Sequence, residues 1–199
     1  MQHTAYRHAP LQTAGFAHPA RNSNMLGIEP GMSVADFGAG SGHYVIEIAE
    51  RLENAGHVYA IDVQRDLLHR IKNESHRRGF KNVEVIWADL EEIGASKIAD
   101  HKIDLVLISN LLFQLQNKSA ALEEARRILR PHGRLAIIDW SDPALSNDSN
   151  GRIGPHRDHI FPKKSAISLA ESAGFQLTRE FDAGAHHYGL VFRVLQHKK

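Results

Sequence analysis

The chain predicts an α/β fold, a mostly parallel sheet wound on both faces by helices, and three observations carry that expectation. From Met32 onward, short Val- and Ile-rich runs alternate with amphipathic stretches. The runs are nearly continuous in apolar character, as strands covered on both sides require. A glycine-rich turn follows the first of them directly and leads into a helical pattern.

Residues 1–20 lack periodicity, and residues 1–24 are read as an N-terminal arm or lid ahead of one domain, 25–199. The predicted strands are SVADF, HVYAID, NVEVIWAD, KIDLVLIS and RLAIIDW. Between them Val45, Ile48, Ala49 and Leu52 recur at helical spacing, as do Leu67, Leu68 and Ile71, and then Ala121, Leu122, Ala125, Ile128 and Leu129. The last of these helices is expected to stop at Arg130-Pro131, because proline cannot continue it. Such alternation implies right-handed crossovers and a parallel sheet. The ending differs: a helix over 166–173 opens near Pro162 and closes at Gly174, and FQLTREF and YGLVFRVL then read as a hairpin joined by DAGAHH.

Composition narrows the function. The 199 residues contain no cysteine, which excludes disulfides, thiolate metal sites and cysteine nucleophiles. A formal net charge of +1 gives no global bias toward nucleic acid. Basic clusters at Arg77, Arg78, Lys81 and at Arg126, Arg127, Arg130 are interspersed with acids, as on a solvated helix face. No run is long enough to cross a membrane as a helix, and the N-terminus lacks the apolar core of a secretory signal, so the expected location is cytoplasmic.

The turn Gly38-Ala39-Gly40-Ser41-Gly42-His43 does not fit a dinucleotide fingerprint, because His43 stands where the third glycine belongs. No Gly-Lys-Ser/Thr follows, so it is not a P-loop either. In an open α/β sheet, ligands bind beyond the carboxyl ends of the strands. Those ends carry Asp36, Asp62, Asp89, Asn110 and Asp139. An edge so anionic suits a nucleoside with a positive charge: Asp62 toward ribose hydroxyls, Asp89 toward an exocyclic amine, Val63 against a flat base.

With these residues in place, residues 31–192 resemble the class I S-adenosylmethionine-dependent methyltransferases. DFGAGSG, YAID, WADL, ISN and ILRPHGRLAIIDW carry the likeness at the family's spacings. The resemblance implies a seven-stranded sheet of order 3-2-1-4-5-7-6 with an antiparallel strand 7, and S-adenosylmethionine as cofactor. It also implies a cofactor site built from Asp36, Gly38, Ala39, Gly40, Gly42, Tyr44, Asp62, Val63, Asp89, Leu90 and Asn110. The ILRPHG turn, the loop ending in a basic and His-rich cluster and the AESAGF helix are similar to small-molecule methyltransferases, including the quinone-biosynthesis type.

The acceptor is expected to be a small molecule. Amino-methyltransferases of nucleobases carry an Asn/Asp-Pro-Pro-aromatic motif after the fourth strand, whereas Ser109-Asn110-Leu111-Leu112-Phe113 has no proline. An RNA methyltransferase and a non-catalytic S-adenosylmethionine-binding regulatory protein are the alternatives, with a nicotinamide-dependent reductase more distant. A general base is needed only where the acceptor loses a proton, and histidine suits that task near neutral pH. His156 and His159, in the long loop after the fifth predicted inner strand, are the chosen candidates. His186-His187 with Tyr188, and His43, are others; no metal site is assigned to the 14 histidines. Residues 9–24 are expected to fold over the site, with Phe16, His18 and Asn24 near the substrate.

Overall fold

The computed structural model describes residues 17–141 and 155–196. Its elements run α1 (Pro19–Leu26), β1 (Ser33–Phe37), α2 (His43–Arg51), β2 (His57–Asp62), α3 (Arg65–Arg77), β3 (Val83–Trp87), β4 (Ile103–Ser109), α4 (Lys118–Ile128), β5 (Leu129–Trp140), α5 (Lys163–Ser172), β6 (Phe175–Gly184) and β7 (His187–Val194). A 3-10 turn, Arg157–His159, precedes α5. The seven strands form one sheet of order β3-β2-β1-β4-β5-β7-β6. The inner strands β1, β2, β4 and β5 are parallel to their neighbours up to β5, and β7 is antiparallel to both β5 and β6. The expected order and the reversed seventh strand are therefore present.

Alternation of side chains along each strand divides the core in two. On one face Val34, Ala60, Leu105, Leu107, Ile138 and Val191 pack under α1, α2 and α3. On the other Phe37, Ile61, Val106, Ile108, Leu135 and Phe192 pack under α4 and α5. β1 is buried along nearly its whole length, whereas β3 at the sheet edge is only partly covered, which is why its apolar run is interrupted by Glu84.

Three boundaries differ from the sequence expectation. α4 ends at Ile128, and β5 begins at once, carrying Pro131 and Gly133 within it. The register there jumps from Ile103–Leu129 to Leu105–Arg134, so Pro131 sits in an irregularity where its missing N–H costs no ladder bond. The joining loop of the last hairpin shrinks to Ala185-His186, because β6 continues through Asp182 and Gly184, paired with Tyr188 and His187. Finally, α1 crosses position 24, where the arm was taken to meet the domain. Pro19 at the helix start and Gly27 in a left-handed cap (φ 59°) delimit it. Leu26 is fully buried, and Arg51 from α2 donates to the Ala20 carbonyl and to the Asn24 side chain. Of the residues expected to cover the site, Phe16 lies outside the described residues.

Candidate active site

The strand order reverses direction between β1 and β4, and the carboxyl ends of these strands face the glycine turn. The turn is built by hydrogen bonds that leave it little freedom. The N–H groups of Gly38 and Ala39 both donate to the Ile61 carbonyl, at 2.9 and 3.0 Å, and that of Gly42 donates to Ala39 at 2.8 Å. Gly38, Gly40 and Gly42 all adopt positive φ, at 72°, 52° and 80°. Their surroundings differ. A Cβ on Gly38 would stand 2.8 Å from the Leu111 side chain, and one on Gly42 only 2.5 Å from Ile71. On Gly40 the nearest atom would be 3.8 Å away. Gly38 and Gly42 thus admit close packing by the protein itself, while Gly40 keeps open space above the backbone.

Asp62, at the end of β2, closes the next part of the site. One carboxylate oxygen accepts the Gly40 N–H and the other the Gln64 N–H, both at 2.8 Å. Each oxygen retains a second lone pair for a further donor. Beside it Val63 is exposed, and its carbonyl accepts the Trp87 indole N–H at 2.9 Å. The Arg65 guanidinium stacks 3.8 Å above the Trp87 ring. Asp89 is exposed and caps the following turn by accepting the Glu91 N–H, while Leu90 is buried beneath.

On the β1–β4 side, Asp36 is fully enclosed, and burial, with the Asp62 charge adding to it, pushes its carboxyl up to about 7. Asn110 follows β4 in a left-handed conformation (φ 53°), fixed by its N–H on Ile138 and by Gln114 on its carbonyl. Its side-chain oxygen is buried and has no hydrogen-bond partner. Asp139, though an acid at a strand end, is used internally: it accepts the N–H groups of Leu112 and Trp140 and so fastens the loop after β4. Burial pushes its carboxyl up to about 7.

Tyr44, on the first turn of α2, is buried with its hydroxyl accepting the Asn22 amide at 2.9 Å. The same amide donates to the Ala183 carbonyl of β6 at 3.0 Å. α1, α2 and β6 therefore meet at Asn22, a junction that sequence reasoning missed by placing Asn22 in the arm. Pro19 and Gly27, one helix length apart, were the available signal. His43 is exposed on the same turn as Tyr44.

The histidines separate by position. His156 and His159 sit on the exposed 3-10 turn, with His156 Nδ1 3.1 Å from Asp158. Among the described residues, their polar contacts stay within that turn. His187 instead lies in the sheet, opposite Trp140 at the carboxyl end of β5, and is 2% exposed. Its ring centroid is 4.2 Å from that of Trp140. Burial, with His186 adding to it, pulls its pKa down to about 4. The sequence places it in a loop, and only the β5–β7 pairing brings it to the sheet edge.

Known proteins resemble this chain in sequence and fold. A family model described as a methyltransferase domain matches residues 28–189. The ubiquinone/menaquinone biosynthesis C-methyltransferase UbiE of Vibrio parahaemolyticus is 26% identical over 155 residues, which are 77% of this chain and 58% of that protein. Its counterpart from Idiomarina loihiensis is 28% identical over 155 residues, covering 77% and 60%. The chain thus spans less than two thirds of the length of these relatives. Among solved structures, a SAM dependent methyltransferase from Aquifex aeolicus matches with a TM-score of 0.78 at 26% identity, over 89% of both chains. The [4+2]-cyclase SpnF shares the fold with a TM-score of 0.72 at 16% identity, over 88% of this chain and 80% of its own.

Proposed function

Because the chain belongs to the methyltransferase-domain family, we propose that it transfers a methyl group from S-adenosylmethionine to a small organic acceptor held beyond the carboxyl ends of β4 and β5 and the amino end of the antiparallel β7. The observation that carries this reading is the Asp62 carboxylate, which fixes the open Gly40 backbone with one oxygen and Gln64 with the other. Each oxygen keeps a lone pair for one hydroxyl of a ribose, a fit that a diphosphate would not make.

The remaining residues suit the cofactor as well. Gly40 leaves room for close approach to the backbone, and the orphaned Asn110 Oδ1 awaits a donor such as an ammonium group. The buried Asp36 places a second acid behind the turn. Asp89 faces the adenine end, with Val63 and Leu90 beside it. When bound, S-adenosylmethionine supplies a methyl group activated by a positively charged sulfur. The protein's part is to hold the acceptor atom in line with that methyl, an effect worth roughly 7–11 kcal/mol. Where the acceptor must lose a proton, His156 or His159 is assigned to take it.

A small biosynthetic acceptor agrees with the ubiquinone/menaquinone biosynthesis C-methyltransferase activity named for the UbiE relatives. RNA is the less favoured acceptor, given a net charge of +1. Among the described residues no helix is long and apolar enough to cross a membrane, and we place the reaction in the cytoplasm.

Calorimetric titration with S-adenosylmethionine and S-adenosylhomocysteine tests the reading. Two charge-assisted hydrogen bonds at about 1.5–3 kcal/mol each give Asp62→Ala a loss of roughly 10²–10⁴ in affinity. Binding unchanged in that variant would refute the assignment of Asp62. Formation of S-adenosylhomocysteine only in the presence of an acceptor separates an active enzyme from a protein that merely binds the cofactor.

A further inference from the structure

Asp62 ends β2 and Arg65 opens α3, so only Val63 and Gln64 join the two elements. Gln64 is the N-cap of α3, and its side chain makes no capping hydrogen bond. The start of that helix is therefore fixed from outside it. Asp62 supplies one hold, because its Oδ1 accepts the Gln64 N–H at 2.8 Å. A carboxylate that grips this peptide and also meets a ligand needs the peptide to keep its orientation.

Trp87 supplies the other hold. It ends β3 in register with Asp62, and facing residues of paired strands point to one side of the sheet. Val83 and Val85, at the same parity, pack on the cluster that includes Leu68 and Ile71 of α3. The indole Nε1–H donates to the Val63 carbonyl at 2.9 Å. That carbonyl and the Gln64 N–H are the two polar ends of one planar peptide. Indole, peptide and carboxylate thus form a continuous chain, from Trp87 Nε1–H to Val63 O and from Gln64 N–H to Asp62 Oδ1. Hydrogen bonds in series polarise and align one another. Arg65 closes the clamp, with its guanidinium 3.8 Å from the centre of the Trp87 ring. A cation on the first residue of a helix is opposed by the helix dipole, so helix stability does not account for Arg65 there. Core packing does not account for Trp87 either, because the residue lies on an edge strand and is 56% exposed.

We propose that Trp87 is a positioning residue for the ribose of the cofactor: through the Val63–Gln64 peptide it sets the Asp62 carboxylate at the angle from which both oxygens meet hydroxyl groups. This rests on the methyl-transfer reading above. Asp62 Oδ2 is fixed separately, by the Gly40 N–H at 2.8 Å. Loss of the indole donor therefore loosens the Oδ1 side of the carboxylate and leaves the glycine turn in place. The Val63 carbonyl loses direction rather than all hydrogen bonding, because water reaches an exposed site and replaces the donor there. The effect on the ribose is accordingly graded, smaller than that of removing Asp62 itself.

The test compares S-adenosylhomocysteine with its 2′-deoxyribose analogue as calorimetric ligands of the full chain. The wild type should prefer the ribose form by about 10- to 100-fold, the worth of one charge-assisted hydrogen bond. Trp87→Phe keeps an aromatic ring beneath Arg65 but removes the donor, and should reduce that preference by about three- to tenfold. Arg65→Gln retains the donor and should keep the preference within about twofold of wild type. A merely structural role would weaken both ligands alike and leave their ratio unchanged. Amide hydrogen exchange of the unliganded protein gives a second reading: the Gln64 N–H should exchange about three- to tenfold faster in Trp87→Phe, and the Gly40 N–H within about twofold of wild type. Equal binding of the two ligands by the wild type, an unchanged ratio in Trp87→Phe, a fall as large in Arg65→Gln, or unchanged exchange at Gln64 would overturn the proposal. Binding of neither ligand by the wild type would instead refute the methyl-transfer reading, and exchange at Gln64 would still decide whether Trp87 holds the peptide.

Discussion

Alanine substitution at Gly40 and Gly42 should separate the glycine that serves the ligand from the one that serves the fold. Both adopt positive φ, at 52° and 80°, so either alanine incurs about 1–2 kcal/mol of left-handed backbone cost. At Gly40 little else changes, because the nearest atom to the new Cβ is 3.8 Å away. At Gly42 the Cβ would sit 2.5 Å from Ile71 Cγ1 and 3.2 Å from its Cδ1. Ile71 is 1% exposed and cannot move aside freely, so overpacking adds about 1–3 kcal/mol. With about 2–4 °C of melting temperature per kcal/mol for a chain of this size, Gly40→Ala should melt about 2–8 °C early and Gly42→Ala about 4–20 °C early. Affinity for S-adenosylhomocysteine should run the other way. Gly40→Ala places a methyl where the ligand approaches and should lose at least about tenfold, as one displaced hydrogen bond implies. Gly42→Ala, assayed where it remains folded, should bind within a few fold of wild type. Thermal unfolding and calorimetry on the same samples decide the matter. A Gly40→Ala protein that binds like wild type would refute the placement of the ligand over Gly40, whatever its stability.

Two further outcomes follow from the buried acids. Asp36 has a folded-state pKa near 7 against an ordinary 3.8, so the stability it contributes is present below about pH 4 and is lost as pH rises through 7. Asp36→Asn should therefore gain melting temperature relative to wild type between pH 5 and pH 8, with a ceiling of about 4 kcal/mol; a gap independent of pH would contradict the burial assigned to the charge. Glu124 opposes this pattern. Burial works against its charge, but hydrogen bonds from Arg127, Ser96 and the Gly94 N–H outweigh it and hold its carboxyl below the ordinary value. It receives Gly94 N–H at 2.7 Å, Ser96 Oγ at 2.5 Å and Arg127 at 2.7 Å, tying the β3–β4 connection to α4. Glu124→Ala should cost about 3–5 kcal/mol in urea unfolding at pH 7, and less as acid protonates the wild-type carboxylate. A loss under 1 kcal/mol would show the network to be replaceable.

Much of the fold was legible before any coordinates. Four of the five predicted strand runs, SVADF, HVYAID, NVEVIWAD and KIDLVLIS, contain the observed strands almost end to end. β1, β2 and β4 are legible because strands buried on both faces are apolar nearly throughout, and the edge strand β3 keeps its Val and Ile content around Glu84. The helix over Val45, Ile48 and Ala49 was equally plain, since one face of it meets the sheet. Errors fell where neighbours overrule local preference. Pro131 looked like a stop but is absorbed into β5 by a register jump against β4. Asp182 and Gly184 looked like loop but pair with Tyr188 and His187. Asn22, polar and near the terminus, is buried with its amide N–H groups donated to Tyr44 and Ala183.

The sequence by itself determined the alternation of strands and helices, the left-handed glycine turn and the row of acids at the strand ends. Each of these depends on residues close together in the chain, where φ preference, apolar period and side-chain chemistry act directly. Only the tertiary structure decided which of those residues are free to meet a ligand. Asp139 is consumed by the N–H groups of Leu112 and Trp140, whereas each Asp62 oxygen has a lone pair left over. Gly42 is closed by Ile71 while Gly40 stays open. His187 stands beside Trp140 because an antiparallel strand places residues 47 positions apart in register. Such pairings are set by packing between distant segments, and no local pattern encodes them.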